Sequence, residues 1–290
     1  VKKMMNRQEF DQYVLDNIKD QEYAVPEINI MDYEATKEKL YIRLCDYEKN
    51  PERLEGLVYK IQGDFAVTYH INLLENQGTD ANPAVTPALL EHWNVTPEQL
   101  HEDALVSDKA RKAALYELSD LIEAEIFGVR PDNILKGETE PRLDQYPPMY
   151  CLTNESINVG ASMILQEDIM KQIGEILGDD FYVLPSSIHE TLILPVYPEF
   201  TVQELNDMVH DINTKQVDEA EQLSDKVQFY DRSTGVLENA QKHQERLEKA
   251  KEKQMETKQG IRQRISVNKN KAPRVKEESQ IKSKGSELEI

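Results

Sequence analysis

The run Phe181-Tyr-Val-Leu-Pro-Ser-Ser-Ile-His-Glu-Thr-Leu-Ile-Leu-Pro195 crowds two hydroxyls (Ser186, Ser187), an imidazole (His189) and a carboxylate (Glu190) into one stretch. These are the residue types that acyl-transfer chemistry uses as nucleophile, base and orienting acid. The spacing works against a local triad. In extended chain alternate side chains face opposite ways, so Ser187 and His189 share a face while Glu190 points away from the histidine it should orient. There is no Gly-x-Ser-x-Gly elbow, and Pro185 removes one backbone donor that an oxyanion hole could use. His189-Glu190 does not begin a zinc-binding His-Glu-x-x-His helix either, because position 193 is Ile. No catalytic residue is therefore assigned. Asn154, Ser186, Ser187, His189 and Glu190 form a candidate polar or interaction site, in which the serines bond the backbone of a bend and His189 and Glu190 satisfy neighbours. A hydrolase or transferase that uses the 186–190 cluster is the alternative.

Other chemistry is thinly represented. His92 and His101 fit no metal spacing, and His70 has no second ligand two residues away. Cys45 and Cys151 lie outside any Cys-x-x-Cys pattern and read as small buried residues in strands. Asp179, Asp180 and Glu167 read as solvated acids in a chain with 54 Asp and Glu. No Gly-x-Gly-x-x-Gly or Walker sequence occurs, so neither a metal nor a cofactor is expected.

Charge is divided unevenly. Residues 236–290 carry 14 Lys and Arg against 9 Asp and Glu, which leaves 20 against 45 in residues 1–235. The acidic body repels nucleic acid and anionic membranes. Any such contact falls to the tail, where Lys258, Arg262, Arg264, Lys269, Lys271 and Arg274 lie in a stretch free of acids. With no aromatic residue beside them they would hold a polyanion without sequence preference. No run approaches eighteen apolar residues and the first twenty residues lack an apolar signal core, so membrane contact and export are not expected and a cytoplasmic location is. The sequons at Asn94 and Asn154 are then chance matches.

The elements that must position the 186–190 cluster follow from periodicity. Phe181–Leu184 and Thr191–Leu194 predict a hairpin with the polar residues at its bend. Before it, 149–153 and 159–165 predict strands around a polar turn at 154–158, and 167–177 a helix stopped by Gly178. After it, Thr201 and Glu204 make a capping box for a helix over 202–215, and 227–230 pairs through a turn with 236–237. In the N-terminal half, 6–20 predicts an amphipathic helix, and 27–33 and 39–46 predict strands. Residues 47–63 predict a charged connection with a short helix, and 65–73 a strand whose His70 faces solvent. Thr86-Pro87 and Thr96-Pro97 each open a helix, with Trp93 as a packing anchor between them. Residues 108–127 predict one long helix capped by Asp108 and stopped by Gly128. The Pro- and Gly-rich 129–148 stretch predicts a linker.

The expected fold class is α+β: two α/β modules with largely antiparallel sheets, at 1–135 and 136–237, then a charged tail over 238–290. The tail is predicted helical over 238–258 and disordered beyond Gly260, with the body folding without it.

Several motifs carry a resemblance. Met149-Tyr-Cys-Leu-Thr-Asn154, Gly160-Ala-Ser162, Leu184-Pro-Ser-Ser-Ile-His-Glu190, Leu223-Ser-Asp225 and Tyr230-Asp231 resemble the uncharacterised bacterial family known as domain of unknown function 5688. Arg43-Leu44, Asp46-Tyr-Glu-Lys-Asn50 and Trp93 are similar to its N-terminal part. The resemblance spans about residues 6–235. It implies a cytoplasmic protein of anaerobic Gram-positive bacteria, often from mobile-element or gut-associated genomes, with no assigned activity. One departure is that the strands and helix which usually follow the first helix are cut down to 23–38. The expected function is that of a non-enzymatic interaction or adaptor protein whose partner is another protein. Accessory nucleic-acid binding through the tail is a further alternative.

Overall fold

Strand β1 (Leu40–Asp46) alternates Leu40, Ile42 and Leu44 with Tyr41, Arg43 and Cys45, and both faces are buried. The computed structural model describes residues 29–73, 82–143 and 146–271, with residues 125 and 260–271 by backbone alone. The predicted 6–20 helix lies outside the described residues, as do most of the 75–83 turn and 272–290. Within the described part of 27–33, residues 29–33 form a turn and the start of a short helix, α1 (Tyr33–Thr36), instead of a strand.

Beyond helix α2 (Pro51–Leu54), a second strand, β2 (Tyr59–Gln62), turns through Gly63 and Asp64 into β3 (Phe65–Ile71). The sheet order is β1-β3-β2, antiparallel, with Leu40 opposite Ile71 and Tyr59 opposite Thr68. Strand β2 replaces part of the predicted connection. Phe65, Val67, Tyr69 and Ile71 face the main core with Ile42 and Leu44. The other face is covered as well: Cys45, Leu54 and Ala66 pack together, and Arg43 reaches the carbonyl of Ala220 at 3.1 Å. His70 is therefore buried, contrary to the period-two expectation that it faces solvent. Its Nε2 lies 3.1 Å from Thr68 Oγ1, and burial, with the Arg43 charge, pulls its pKa down to about 4.

Helices α3 (Pro87–Trp93) and α4 (Pro97–Lys109) start as predicted, Thr86 and Thr96 accepting from the N–H groups of Leu89 and Gln99. Trp93 is buried, packs on Tyr33 and donates Nε1–H to the Ile30 carbonyl at 2.9 Å. The predicted 108–127 helix is broken. Helix α4 ends at Lys109, Lys112 takes a positive φ of 58°, and Ala113–Glu117 is a strand, β4, before helix α5 (Leu118–Phe127). Ala, Leu and Glu favour helix, but pairing in a sheet overrides that preference. Asn133 fixes the strand's outer edge, accepting from Leu115 N and donating to Ala113 O.

Strand β5 (Tyr150–Asn154) pairs with β4, and the hairpin strands β6 (Phe181–Leu184) and β7 (Thr191–Pro195) follow, with helix α6 (Glu167–Leu177) before them. After helix α7 (Val202–Gln216), with its capping box, strands β8 (Gln228–Asp231) and β9 (Val236–Asn239) complete a six-stranded antiparallel sheet of order β4-β5-β7-β6-β8-β9. The predicted 159–165 strand is a 3-10 turn over Ala161–Leu165. Gly160 and Ala161 direct their N–H groups to His189 and Ile188 carbonyls, so they are not available to a strand ladder.

The fold class is α+β with two antiparallel sheets, as expected. The sheets are not independent: Ile42, Val67 and Leu100 share one core with Tyr150, Phe181 and Ile193. A boundary at 135/136 would cut between the paired strands β4 and β5. A second core joins Leu184, Leu194, Val227 and Phe229 to Leu205 and Val209 of α7. Helix α8 (Ala240–Lys271) runs past Gly260, and the compact unit ends at His243, inside the helix and six residues beyond the expected end at 237. Ala240 is buried, and the His243 ring stacks on Phe229 at 4.1 Å.

Candidate functional site

The bend between β6 and β7 is held by its backbone before any side chain acts. The Ser224 and Leu223 N–H groups donate to the carbonyls of Pro185 and Ser186, and Ile188 donates to Glu221. Residues 185–188 thus run beside 221–224, with Ser187 opposite Gln222. The Ser187 Oγ accepts the His189 N–H at 2.9 Å, a serine turn of the kind the composition suggests.

His189 is a strut. Its carbonyl accepts from Thr153 Oγ1 and from Gly160 N, both at 2.8 Å, and its Nδ1 accepts from Val159 N at 3.2 Å. An Nδ1 that accepts a bond leaves the ring proton on Nε2 in the neutral imidazole, and Nε2 faces Glu221 Oε1 at 3.4 Å. Neither ring nitrogen is directed at a serine hydroxyl. Burial raises the Glu190 pKa, with Ser187 and His189 opposing and the Glu221 charge adding to the rise. Asn154 is fully buried; its Oδ1 accepts from Ser156 N, Ser156 Oγ and Asn158 N, and its Nδ2 donates to Asn158 O. Ser187 Oγ bonds the His189 N–H, Asn154 organises the adjoining turn, and Ser186 is buried and bonds through its backbone. At Gly160 a Cβ would run into Thr153 Oγ1 and the backbone of Asn154 and His189, so this close approach requires glycine.

A second constellation escapes residue-by-residue reading. Asp46 is fully buried: Oδ1 accepts from Glu48 N and Lys49 N, and Oδ2 accepts from Ser224 Oγ at 2.9 Å. Around it Lys49 pairs with Asp225 and Lys226 with Glu48, both at 2.5 Å. Two of the motifs quoted above, Asp46–Asn50 and Leu223–Asp225, thus meet in space. Asp108, read as a helix cap, is instead buried under Arg111 and Ser162 Oγ, which donate to it at 3.0 and 2.6 Å. The Asp64 carboxylate accepts from Gln228, Asn239 and Lys242. Burial alone would raise its pKa, but these bonds, Lys242's above all, hold it below the usual carboxylate value. Each of these acids fastens distant segments and is satisfied by protein donors.

The side chains of 260–274 lie outside what the structure describes; Lys258, on α8, is exposed. Among the described residues no helix is long and apolar enough to cross a membrane.

An α+β body with two antiparallel sheets is the class that this fold defines. The chain belongs to a family of unknown function, DUF5688, whose model matches residues 2–232. No curated protein and no solved structure matches it. The match ends in the turn between β8 and β9, although the body continues to His243.

Proposed function

We propose that this chain acts in the cytoplasm by binding another protein, as an interaction or adaptor module, and not by catalysis. The observation that carries this reading is the bonding of His189: Nδ1 holds the Val159 N–H, Nε2 faces Glu221, and Ser187 Oγ is engaged by the His189 N–H. A base that cannot reach its nucleophile does not activate it. A hydrolase or transferase at 186–190 would need this bend to come apart. The test is a fluorophosphonate probe for activated serines, applied to the full chain and to His189→Ala. No labelling of Ser186 or Ser187 is expected in either. Labelling in the wild type that disappears in His189→Ala would overturn the reading in favour of a serine hydrolase.

A further inference from the structure

An exposed strand edge lies on the three-stranded sheet, at β2. Among the described residues strand β2 pairs only with β3, and Tyr59 through Gln62 are all exposed. The β2–β3 hairpin turns on two residues, Gly63 and Asp64, with Gly63 at a φ of 63°. A two-residue turn with a positive φ at its first position closes on a hydrogen-bonded pair, here Gln62 and Phe65. By alternation Lys60 also bonds to β3, while the N–H and C=O groups of Tyr59 and Ile61 point outward. Among the described residues none of these outward groups has a backbone partner outside the sheet. Such a row is a template for one more strand.

Beside this edge is an open hollow of about 660 Å³. Its apolar floor is Leu54, and its sides are the rings of Tyr47 and Tyr59, each residue 39% exposed, with ring centres 6.3 Å apart. Glu52 and Glu55 line the same hollow and are exposed, while Glu48 is paired with Lys226. Two tyrosine faces with carboxylates beside them attract a cation that brings an aliphatic stem. Ile61 shares the Tyr59 face of β2 and is 50% exposed, so an apolar contact lies two residues along. Lys60 lies on the opposite face and does not meet a cation in the hollow.

We propose that the β2 edge takes an extended basic segment of a partner protein as a fourth strand. One Lys or Arg of that segment lies between Tyr47 and Tyr59, facing Glu52 and Glu55. The proposal rests on the interaction reading above and names the chemistry of the partner. The local carboxylates select a basic peptide, and they repel the phosphates of a nucleic acid.

The test is an anisotropy titration of the full chain with a fluorescein-labelled Lys-Val-Lys-Val-Lys-Val peptide and with its Glu-Val counterpart. The Lys peptide should bind, more weakly as salt rises, and the Glu peptide should not. Tyr59→Ala and the pair Glu52→Lys, Glu55→Lys should each weaken binding about tenfold or more. Ile61→Pro removes an outward N–H without touching the β2–β3 ladder and should abolish binding. If that variant loses stability, a Lys-Val peptide N-methylated at every residue tests the same bonds on the unaltered protein, and it should not bind. Absence of Lys-peptide binding, undiminished binding by the Glu52→Lys, Glu55→Lys pair, or full binding of the N-methylated peptide would each overturn the proposal. Binding that appears only after residues 244–290 are removed would assign the edge to the chain's own basic tail and overturn the partner. A host protein photo-crosslinked to the full chain equally well by wild type and Tyr59→Ala would leave the interaction reading standing and overturn this surface as its site.

Discussion

The 185–190 bend and the hollow at Tyr47 and Tyr59 are opposites. The bend contains the residue types most often seen in catalysis, yet its Ser187 and His189 are engaged with backbone N–H groups. The hollow contains two tyrosines and three glutamates of no catalytic reputation, yet these are exposed beside the β2 strand edge. A residue's chemistry is available only when folding has not already used it. Buried polar groups must be satisfied, so crowding of reactive types in a buried bend signals a fastener at least as readily as a site.

The fastened region extends into the first turn of α8. Removing residues 244–290 should leave the melting temperature within about 2 °C. Removing 238–290 takes Asn239 and Lys242 from Asp64 and Ala240 from the second core. Leaving a buried carboxylate without its cation costs on the order of 3 kcal/mol or more, read as a lower midpoint in urea. Equal midpoints for the two truncations would place the end of the body at 237 after all.

Within the bend, Gly160→Ala should cost about 1–3 kcal/mol, because Thr153 Oγ1 and the His189 backbone must shift. His189→Ala should cost about 1–2 kcal/mol through lost hydrogen bonds. At the hollow, Tyr59→Ala should stay within about 0.5 kcal/mol. Denaturant titration of the three variants checks the order, and a reversed order would erase the contrast between fastener and open surface.

Acid sharpens it further. The Asp64 pKa is depressed in the folded chain, so its contribution to stability is present above the ordinary Asp value near 3.9 and is lost as pH falls through the folded value. Asp64→Asn should therefore be less stable than wild type by about 1–2 kcal/mol at pH 7, with the gap closing below about pH 4. A gap independent of pH would show that shape, not charge, is what Asp64 contributes.

The smallest effect concerns the tail. Six engaged charges would give a log–log salt slope near −5 on duplex DNA at ~0.9 per contact. The acidic body should reduce this to weak or undetectable binding by the full chain at physiological salt, with an isolated 238–290 peptide binding better. Tight full-chain binding with that slope would turn the function toward nucleic acid.

Local signals were strong where one stretch decides its own structure. Thr86, Thr96 and Thr201 cap their helices, Gly128 and Gly178 stop theirs, and the alternation over 40–46, 65–71 and 181–195 made strands legible. The crowding of Ser187, His189 and Glu190 is legible in the same way. Tertiary structure decided the rest. Ala113–Glu117 became a strand because β5 and Asn133 offered its backbone partners that a helix-favouring composition does not disclose. His70 was buried because the Tyr41 ring, 5.4 Å away, and Thr68 Oγ1, 3.1 Å away, enclose it on a face that period-two reasoning gives to solvent. The expected linker became part of one body because both sheets share a core across it, and the body's end moved to His243 because Asp64 needed Lys242. Caps, turns and alternation act over a few residues and are written locally, whereas the partner of a buried charge or a strand edge is chosen by segments up to 178 positions away.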